Sequence, residues 1–288
     1  MNISFIGLGI MGSRMACNLL KHENSKLTVF NRSMKPADKL AESGAFKADS
    51  AEDAVSGSDV VFTMLSDPET VANLAFKDKG FVYSMKKNAV WINCSTVNPS
   101  FARECAMRSA EHDIKFIDAP VAGSLKPAEN GELTFLVGGE EKDIEFVKPL
   151  LELMGKKILY LGDAGQGSAF KMLVNSLLAQ SMAIYSETAL LGEKLGFSRD
   201  FLMDVLPELP VTAPFFKGKT SMIKNGEYET EFPLELMLKD LHLLDITAYE
   251  KNHPLYLGSA VKQLYAGAKS KGMARKDFSS IFSFLENS

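Results

Sequence analysis

A lysine and an asparagine interrupt an otherwise apolar helical stretch, SAFKMLVNSLLAQ, at residues 168 to 180. Lys171 and Asn175 are four residues apart, so on a helix their side chains point the same way. A lysine ammonium is cationic at neutral pH and can donate a proton or attract a carboxylate. An amide can hold either group without competing as a base. A solvated helix edge carries the same residue types, so the spacing leaves both interpretations open.

The apolar residues of this stretch recur at the spacing of one helical face. They are Phe170, Leu173, Val174, Leu177 and Leu178. The spacing predicts that this face is buried.

A glycine-rich motif, GLGIMG at residues 7 to 12, directly follows a strand-like run at the start of the sequence. The G-x-G-x-x-G pattern is weak alone, but here it follows a strand, opens a helical window and precedes a second strand. Gly7 would permit the tight turn, Gly9 would let a pyrophosphate approach the backbone, and Gly12 would let the helix pack closely. The motif predicts a dinucleotide held at a helix N-terminus, and a tight turn without a ligand is the alternative.

The end of the second strand, FNRSMK at residues 30 to 35, indicates which dinucleotide is bound. A site for NAD would place Asp or Glu about 20 residues beyond the motif, to bind the ribose 2′-hydroxyl. Here the residues are Asn31, Arg32 and Ser33, and the first carboxylate is Asp38. A guanidinium can stack on the adenine and hold a 2′-phosphate. We therefore predict NADP(H) as the cofactor, whereas Arg32 and Lys35 as solvated loop cations are the alternative.

The elements that must position these residues alternate in the first half of the sequence. Short strand-like runs are predicted at 3–7, 27–30, 60–65, 90–94 and 114–120, with further ones at 133–139 and 156–162. Helical windows lie between them, at 10–21, 99–111 and 141–154. This alternation predicts an α/β domain with a mainly parallel sheet covered on both faces, which the last two strands would extend.

After Gly162 the character of the sequence changes. A long helix is predicted over about 168–195, followed by helical windows at 199–206, 234–250, 255–269 and 277–285 and by no convincing strand. The segment 207–226 is expected to be irregular or to form short helices. We therefore predict a nucleotide-binding domain at 1–162 and an all-α domain at 163–288, entered through the long helix.

The composition excludes several classes of protein. The chain has 288 residues, of which 46% are hydrophobic and 24% charged, with a net charge of −4. These values are ordinary for a globular protein and offer no field that would recruit nucleic acid. The three cysteines form no C-x-x-C pair, and the four histidines show no metal-ligand spacing, so neither a disulfide framework nor a metal is expected. With no signal-like N-terminus and no long apolar run, we expect a soluble cytoplasmic protein that does not insert into membranes.

Four segments in this order resemble the β-hydroxyacid dehydrogenase family, whose members include 3-hydroxyisobutyrate dehydrogenases. They are GLGIMG, DAPVAGSLKPAENGELTFLVGG at 118–139, GSAFKMLVN at 167–175 and MLKDL at 237–241. The SLKPAENGEL stretch and the FNRS turn are most similar to the NADPH-dependent glyoxylate and succinic semialdehyde reductases. The resemblance implies an N-terminal Rossmann domain, a long interdomain helix and a helical C-terminal domain that supports dimers or tetramers. It also implies reversible hydride transfer between a nicotinamide and a small aldehyde or hydroxy carboxylic acid.

By motif position, the resemblance assigns Lys171 as the catalytic lysine and proton donor, and Asn175 as the asparagine that accompanies it. The implied cofactor contacts are Gly7, Gly9, Ile10, Met11, Gly12, Asn31, Arg32, Ser33, Met64, Leu65, Thr96 and Lys239. The implied substrate contacts are Thr96, Ala122, Gly123, Ser124, Phe232 and Asp240.

The chain departs from the family pattern at Ala122. The family stretch usually reads DAPVSG, and its serine hydroxyl helps to bind the substrate carboxylate. Without that donor, binding falls to the backbone around Gly123 and Ser124, to the Ser124 side chain, or to Thr96. One lost hydrogen bond to a charged group costs about 1.5 to 3 kcal/mol.

Several functions remain compatible with the sequence. We expect reduction of short aldehyde acids such as glyoxylate and succinic semialdehyde. The alternatives are a 3-hydroxyisobutyrate or tartronate semialdehyde enzyme, an imine reductase and a non-catalytic NADP-binding module. Imine reductases on this scaffold generally lack the lysine, and degenerate members lose the lysine or the glycine motif, so Lys171 together with Gly7 favours the first expectation.

Overall fold

The structure is a computed structural model that describes residues 1–22, 25–78 and 80–288. Their fold consists of two compact units, Met1–Lys171 and Met172–Ser288. The border lies inside the long helix α8 (Gln166–Lys194), beyond the Gly162 at which we predicted the domains to divide. The difference arises because the backbone at the start of α8 is hydrogen-bonded to Asp118 of the first unit.

The first unit is built on a parallel sheet of six strands, in the order β3-β2-β1-β4-β5-β6. The strands are β1 (Asn2–Ile6), β2 (Lys26–Phe30), β3 (Phe46–Lys47), β4 (Val60–Thr63), β5 (Val90–Asn93) and β6 (Lys115–Asp118). The helices between them are α1 (Gly12–Leu19), α2 (Met34–Glu42), α3 (Ala51–Val55), α4 (Pro68–Phe76) and α5 (Pro99–Ala110). The strand order reverses direction between β1 and β4, which places a crevice for ligands at the carboxyl ends of these strands. The predicted Rossmann-type sheet is confirmed.

The centre of this sheet is fully buried, as a sheet covered on both faces requires. Every residue of β4 and β5 is buried. The Trp91 ring packs edge-on against Phe81 and Phe116, and its Nε1 donates a hydrogen bond to Thr63 Oγ1 at 2.9 Å. The polar atom of the largest core side chain is therefore satisfied inside the sheet.

A second sheet of three strands follows, and our prediction that its strands extend the first sheet was wrong. Its strands are β7 (Val121–Ala122), β8 (Leu133–Val137) and β9 (Gly155–Tyr160), accompanied by α6 (Leu125–Asn130) and α7 (Glu141–Met154). The change of sheet occurs because the backbone after β6 pairs with β8. Leu136 N donates to Pro120 O at 2.9 Å, and β7 pairs antiparallel with β8. An isolated bridge between Asp118 and Gly138 joins the two ladders.

The second unit is helical, as predicted. After the unit border come α9 (Arg199–Val205), α10 (Thr220–Asn225), α11 (Leu234–Glu250), α12 (Tyr256–Ala268) and α13 (Ile281–Glu286). The described residues of this unit contain no strand and one isolated bridge, between Pro233 and Asp277. The segment 207–226 forms short helical turns and α10. The core of the second unit includes Met182, Tyr265 and Phe282.

The predicted buried face of α8 was wrong at three of its five apolar residues, whereas Val174 and Leu178 are half-buried. Phe170, Leu173 and Leu177 are 40%, 58% and 70% exposed. The face that is buried in this helix carries mostly small or flexible side chains: Met172, Asn175, Ala179, Met182, Ala183, Tyr185, Ser186 and Ala189. Because the helix has apolar residues on more than one face, spacing alone did not identify the face that packs in the core.

Within the described part of the chain, no helix has both the length and the apolar character needed to cross a bilayer.

Candidate active site

The glycine-rich turn between β1 and α1 has the shape of a pyrophosphate cradle. Gly7 has φ +97°, and a Cβ there would lie 2.3 Å from the Met64 carbonyl oxygen. A Cβ at Gly12 would lie 1.9 Å from the Gly7 carbonyl oxygen, so α1 begins directly against the turn. At Gly9 a Cβ would meet nothing within 4 Å, so this position leaves the backbone open to approach. The turn therefore fits a dinucleotide, with close packing at two glycines and free space at the third.

The N-terminus of α1 is suited to an anion. Ile10 and Met11 precede the helix, and its first turn contains no acidic residue. The first N–H groups of a helix have no intrahelical acceptor, and the helix dipole favours negative charge beside them. No carboxylate of this turn would compete with a phosphate for those donors.

Asn31 ties the glycine-rich turn to the end of β2. Its Oδ1 accepts a hydrogen bond from Leu8 N at 2.9 Å, and its Nδ2 donates to the carbonyl oxygen and the hydroxyl of Ser33 at 2.9 and 3.0 Å. The Arg32 side chain between them is exposed. Among the described residues, neither Arg32 nor Lys35 pairs with a carboxylate. The first carboxylate after them in the sequence, Asp38, binds Lys47 at 2.7 Å instead. Both cations are thus accessible to a ligand phosphate.

The carboxyl ends of β4 and β5 adjoin the glycine turn. The Met64 amide donates to Ile6 O at 2.9 Å, and a Cβ at Gly7 would lie 2.9 Å from Leu65 Cδ2. Leu65 N donates to the hydroxyl of the fully buried Ser95 at 2.8 Å, and Thr96 beside it is half-buried. The structure therefore brings Gly7, Met64 and Leu65 together. The sequence patterns did not predict a role for Ser95, although it adjoins Thr96 in the NCST stretch.

The predicted carboxylate loop lies between β7 and α6. Ala122 pairs with Thr134 across the second sheet, and Gly123 has φ +129°. A Cβ at Gly123 would lie 2.9 Å from Leu133 Cδ2. Gly123 and Ser124 are exposed, and the Ser124 side chain makes no capping bond to α6. The loop thus presents exposed backbone and one hydroxyl that is not used for capping.

Two residues of α1 that the sequence analysis did not identify hold α6. Asn18, which is 2% exposed, donates from Nδ2 to Ala128 O at 2.8 Å. Arg14 Nε binds Glu129 Oε1 at 2.7 Å. A buried asparagine on the inner face of α1 was the one available signal for this contact. The helix of the glycine motif therefore supports the element that follows the carboxylate loop.

In the second unit, three predicted residues form one buried polar cluster. Asn175 Nδ2 donates to Asp240 Oδ2 at 2.5 Å, and Lys239 Nζ lies 2.7 Å from Asp240 Oδ1. Asn175 and Asp240 are 2% and 3% exposed. The Asn175 Oδ1 atom is buried and has no hydrogen-bond partner among the described residues. An acceptor is thus available one helical turn after Lys171, which is half-buried on the same helix.

Phe232 lies just before α11 and contacts Asp277 and Phe278. Its amide donates to Asp277 Oδ2 at 3.0 Å, and its ring centroid is 5.8 Å from that of Phe278. The predicted site residues up to Lys171 belong to the first unit, and Asn175, Phe232, Lys239 and Asp240 belong to the second.

Cys94 is excluded as a nucleophile by its surroundings. The thiol is fully buried, and burial raises its pKa far above the ordinary range. It is a packing residue of the first core.

Comparison with known proteins supports one family over the whole chain. Residues 2–162 match the family model described as the NAD binding domain of 6-phosphogluconate dehydrogenase. Residues 165–285 match the model described as NAD-binding of NADP-dependent 3-hydroxyisobutyrate dehydrogenase.

Individual relatives support the same family. Arabidopsis thaliana glyoxylate/succinic semialdehyde reductase 2 is 35% identical over 285 residues, which cover 99% of this chain and 79% of that protein. A probable mitochondrial 3-hydroxyisobutyrate dehydrogenase of Dictyostelium discoideum is 35% identical over 290 residues, covering 98% of this chain and 90% of that protein. The solved structure of Mycobacterium tuberculosis 3-hydroxyisobutyrate dehydrogenase with L-serine has a TM-score of 0.87 at 31% identity, covering 99% of this chain and 98% of that one. The chain therefore belongs to the 3-hydroxyisobutyrate dehydrogenase family of nicotinamide-dependent oxidoreductases.

Proposed function

We propose that the protein reduces short aldehyde carboxylic acids, such as glyoxylate and succinic semialdehyde, to hydroxy acids with NADPH. The observation that carries this proposal is the buried amide of Asn175, four residues after Lys171 on α8, which Asp240 holds by a 2.5 Å hydrogen bond. The similarity to glyoxylate/succinic semialdehyde reductase 2 supports the substrate class.

The preference for NADPH rests on the loop after β2. Arg32 is exposed, and this loop offers no carboxylate to bind a ribose hydroxyl. A guanidinium contact with the 2′-phosphate is worth about 1.5 to 3 kcal/mol, which corresponds to roughly ten- to a hundredfold in affinity. Gly7, Gly9 and Gly12 would hold the pyrophosphate at the start of α1. When bound, the nicotinamide supplies a hydride to the substrate carbonyl carbon.

Lys171 is proposed to supply the proton. Negative charge develops on the carbonyl oxygen as its carbon is reduced, and a cationic ammonium both stabilises that charge and protonates the oxygen. Asn175 Oδ1, an acceptor without a partner among the residues the structure describes, is proposed to hold the ammonium or the product hydroxyl. The amide has no basicity at neutral pH, so it orients the proton donor without removing its proton.

The substrate carboxylate is proposed to bind at residues 122 to 124. Ala122 provides no hydroxyl there, so the amides of Gly123 and Ser124 and the Ser124 hydroxyl are the proposed donors, together with Thr96. A two-carbon acid depends on these few contacts more than a four-carbon acid does, because longer chains also bury apolar surface. Succinic semialdehyde is therefore the better substrate in this proposal.

We also propose that the protein forms a homodimer or homotetramer. In the second unit, the end of α8, the residue that follows it and α9 expose apolar side chains: Leu191, Leu195, Phe201 and Val205. Exposed apolar residues at helical spacing are typical of surfaces that associate. Sedimentation velocity of the purified protein tests this, and a monomer at micromolar concentration is the contrary result.

A second candidate is oxidation of 3-hydroxyisobutyrate, which is favoured by the equal identity of the Dictyostelium discoideum dehydrogenase. Steady-state kinetics distinguish the two. NADPH oxidation is measured with aldehyde acids of two to five carbons, and reduction of NAD and NADP with 3-hydroxyisobutyrate and L-serine. We expect the highest kcat/KM with succinic semialdehyde and NADPH. A higher value for 3-hydroxyisobutyrate with NAD would replace the proposal by the second candidate.

A further inference from the structure

A single buried carboxylate caps the helix that carries Lys171. Asp118, at the end of β6, is 0% exposed. Its Oδ1 accepts a hydrogen bond from Gly165 N at 2.8 Å, and its Oδ2 accepts one from Ser168 N at 2.6 Å. Both donors belong to the backbone at the beginning of α8. The carboxylate therefore satisfies two amides that the helix itself leaves without acceptors.

Backbone encloses this carboxylate closely. A Cβ at Gly138 would lie 2.5 Å from Asp118 Oδ1, and a Cβ at Gly167 would lie 3.0 Å from Oδ2 and 2.2 Å from Leu136 O. Neither position has room for a side chain. The start of α8 is thus packed against β6 and β8 at the contact distance that only glycine allows.

The Asp118 backbone also joins the two sheets of the first unit. Its amide donates to Gly138 O at 3.0 Å, and Gly138 N donates back to Asp118 O at 2.9 Å. One residue therefore connects the end of β6, the end of β8 and the first turn of α8. All of these contacts lie within the first unit, as does Lys171.

The first turn of α8 sets where the backbone of Lys171 lies. Ser168 and Lys171 are three residues apart, so they lie on neighbouring positions of one helical face. A rotation or axial shift of the turn would move the Lys171 backbone, from which the side chain extends towards the proposed site. A displacement of about 1 Å at a reacting group costs on the order of a hundredfold in rate.

We propose that Asp118 is a positioning residue for Lys171, because its carboxylate fixes the first turn of α8 against the strand ends of the first unit. The inference rests on the proposed function of Lys171 as proton donor. The Asp118 carboxylate is bonded by Gly165 and Ser168 at the beginning of α8, so it acts through the helix and not on the substrate.

The test begins with Asp118→Asn. This variant keeps the size of the side chain and one acceptor oxygen, but it places an amide donor against one of the two backbone N–H groups. We expect kcat for aldehyde reduction to fall by about a hundredfold, with KM and the NADPH dissociation constant changed by less than about threefold. The matched control is Asp163→Asn, an exposed aspartate in the turn before α8, which should leave kcat unchanged. An Asp118→Asn variant with normal kcat would overturn the proposal.

A double-mutant cycle separates positioning from general support of the fold. If Asp118 acts through Lys171, adding Asp118→Asn to Lys171→Ala should lower kcat by no more than about twofold further. A further loss equal to that of the single variant would mean that the two residues act independently, and it would overturn the inference. Full activity of Lys171→Ala alone would instead remove the proposed proton donor, which is a separate failure.

If Asp118→Asn does not fold, amide hydrogen exchange of the unmodified protein tests whether the Asp118 carboxylate holds the first turn of α8. The amides of Gly165 and Ser168 should exchange as slowly as those in the middle of α8. Exchange at the rate of an unstructured amide would show that the carboxylate does not hold the turn.

Discussion

Asn175 Nδ2 and Asp240 Oδ2 are joined by a 2.5 Å hydrogen bond between α8 and α11, and both side chains are buried. This bond determines which end of the Asn175 amide faces away from Asp240. Because the NH₂ group is engaged, the carbonyl oxygen remains as the acceptor. An aspartate thus sets the hydrogen-bonding character of the proposed site through an amide.

Replacing Asp240 by alanine should impair both stability and activity. Asp240→Ala leaves the buried Asn175 amide without an acceptor and Lys239 without its ion pair. We expect a loss of about 3 kcal/mol in the free energy of unfolding, since an uncompensated buried group is costly, and a fall in kcat of at least about tenfold. Urea unfolding and steady-state kinetics measure the two effects. Asp245→Ala on α11, which breaks a half-exposed contact with Lys262 of α12, is the control. Equal losses in both variants would contradict a special role for Asp240.

Lys171→Ala should remove the proton donor without affecting cofactor binding. We expect kcat to fall by at least about a hundredfold, while the NADPH dissociation constant, measured by fluorescence titration, stays within about twofold. Lys194→Ala, at the exposed end of the same helix, should behave as the unmodified protein. Retention of most activity in Lys171→Ala would exclude the lysine from proton transfer.

Arg32→Ala should weaken NADPH binding selectively. Loss of the charge-assisted contact is expected to raise KM for NADPH by roughly ten- to a hundredfold and to leave KM for NADH nearly unchanged. The comparison of kcat/KM for both cofactors is the measurement, and Lys39→Ala on the exposed side of α2 is the control. A parallel loss with both cofactors would mean that Arg32 does not read the 2′-phosphate.

Ala122→Ser should restore a hydroxyl donor at the carboxylate loop. Because Ala122 is only partly buried, the added oxygen atom can be accommodated. We expect KM for glyoxylate to fall by about tenfold, in line with one hydrogen bond to a charged group, and KM for NADPH to stay constant. Kinetics with glyoxylate and succinic semialdehyde provide the readout. An unchanged glyoxylate KM would show that the carboxylate binds elsewhere.

The stability of the protein should depend on pH through Asp118. Burial raises the pKa of Asp118 to about 6, against the hydrogen bonds from Gly165 and Ser168, which lower it. The unfolded value is about 3.9, so between pH 4 and 6 the folded state binds more protons than the unfolded state. The contribution of Asp118 to the free energy of unfolding is therefore present below about pH 4 and lost as the pH rises through 6, by about 3 kcal/mol in all.

Urea unfolding of the unmodified protein and Asp118→Asn between pH 4.5 and 7.5 measures this contribution. The difference in unfolding free energy between the two proteins should shift against the unmodified protein as the pH rises through 6, and then level off above about pH 7. A difference that does not change with pH would place the pKa of Asp118 at its ordinary value.

The sequence predicts the elements whose periodicity is unambiguous. The bounds of α7 and α11 agree with the helical windows predicted at 141–154 and 234–250. By contrast, β3 has two residues, too few for any pattern to be detected. The separate second sheet depends on the pairing of Leu136 with Pro120, a long-range contact that no local pattern encodes.

In the candidate site, too, local patterns were predicted from the sequence and long-range contacts were not. Glycine spacing and the Lys171–Asn175 interval are local, so they could be found without a structure. The roles of Asn18, Ser95 and Asp118 depend on partners that are 30 to 110 residues away in the chain. Only folding brings these residues to their partners. The face of α8 was mispredicted for a related reason, since the core selects among several apolar faces.

The support of α6 by Arg14 and Asn18 has an energetic consequence for binding. The loop at residues 122 to 124 is held at one end by the pairing of Ala122 with Thr134 and at the other by a helix anchored to α1. Its conformational entropy is therefore lost when the protein folds and not when a ligand arrives. A small acid with few contacts of its own gains most from such preorganisation, because none of its limited binding energy is consumed in ordering the loop.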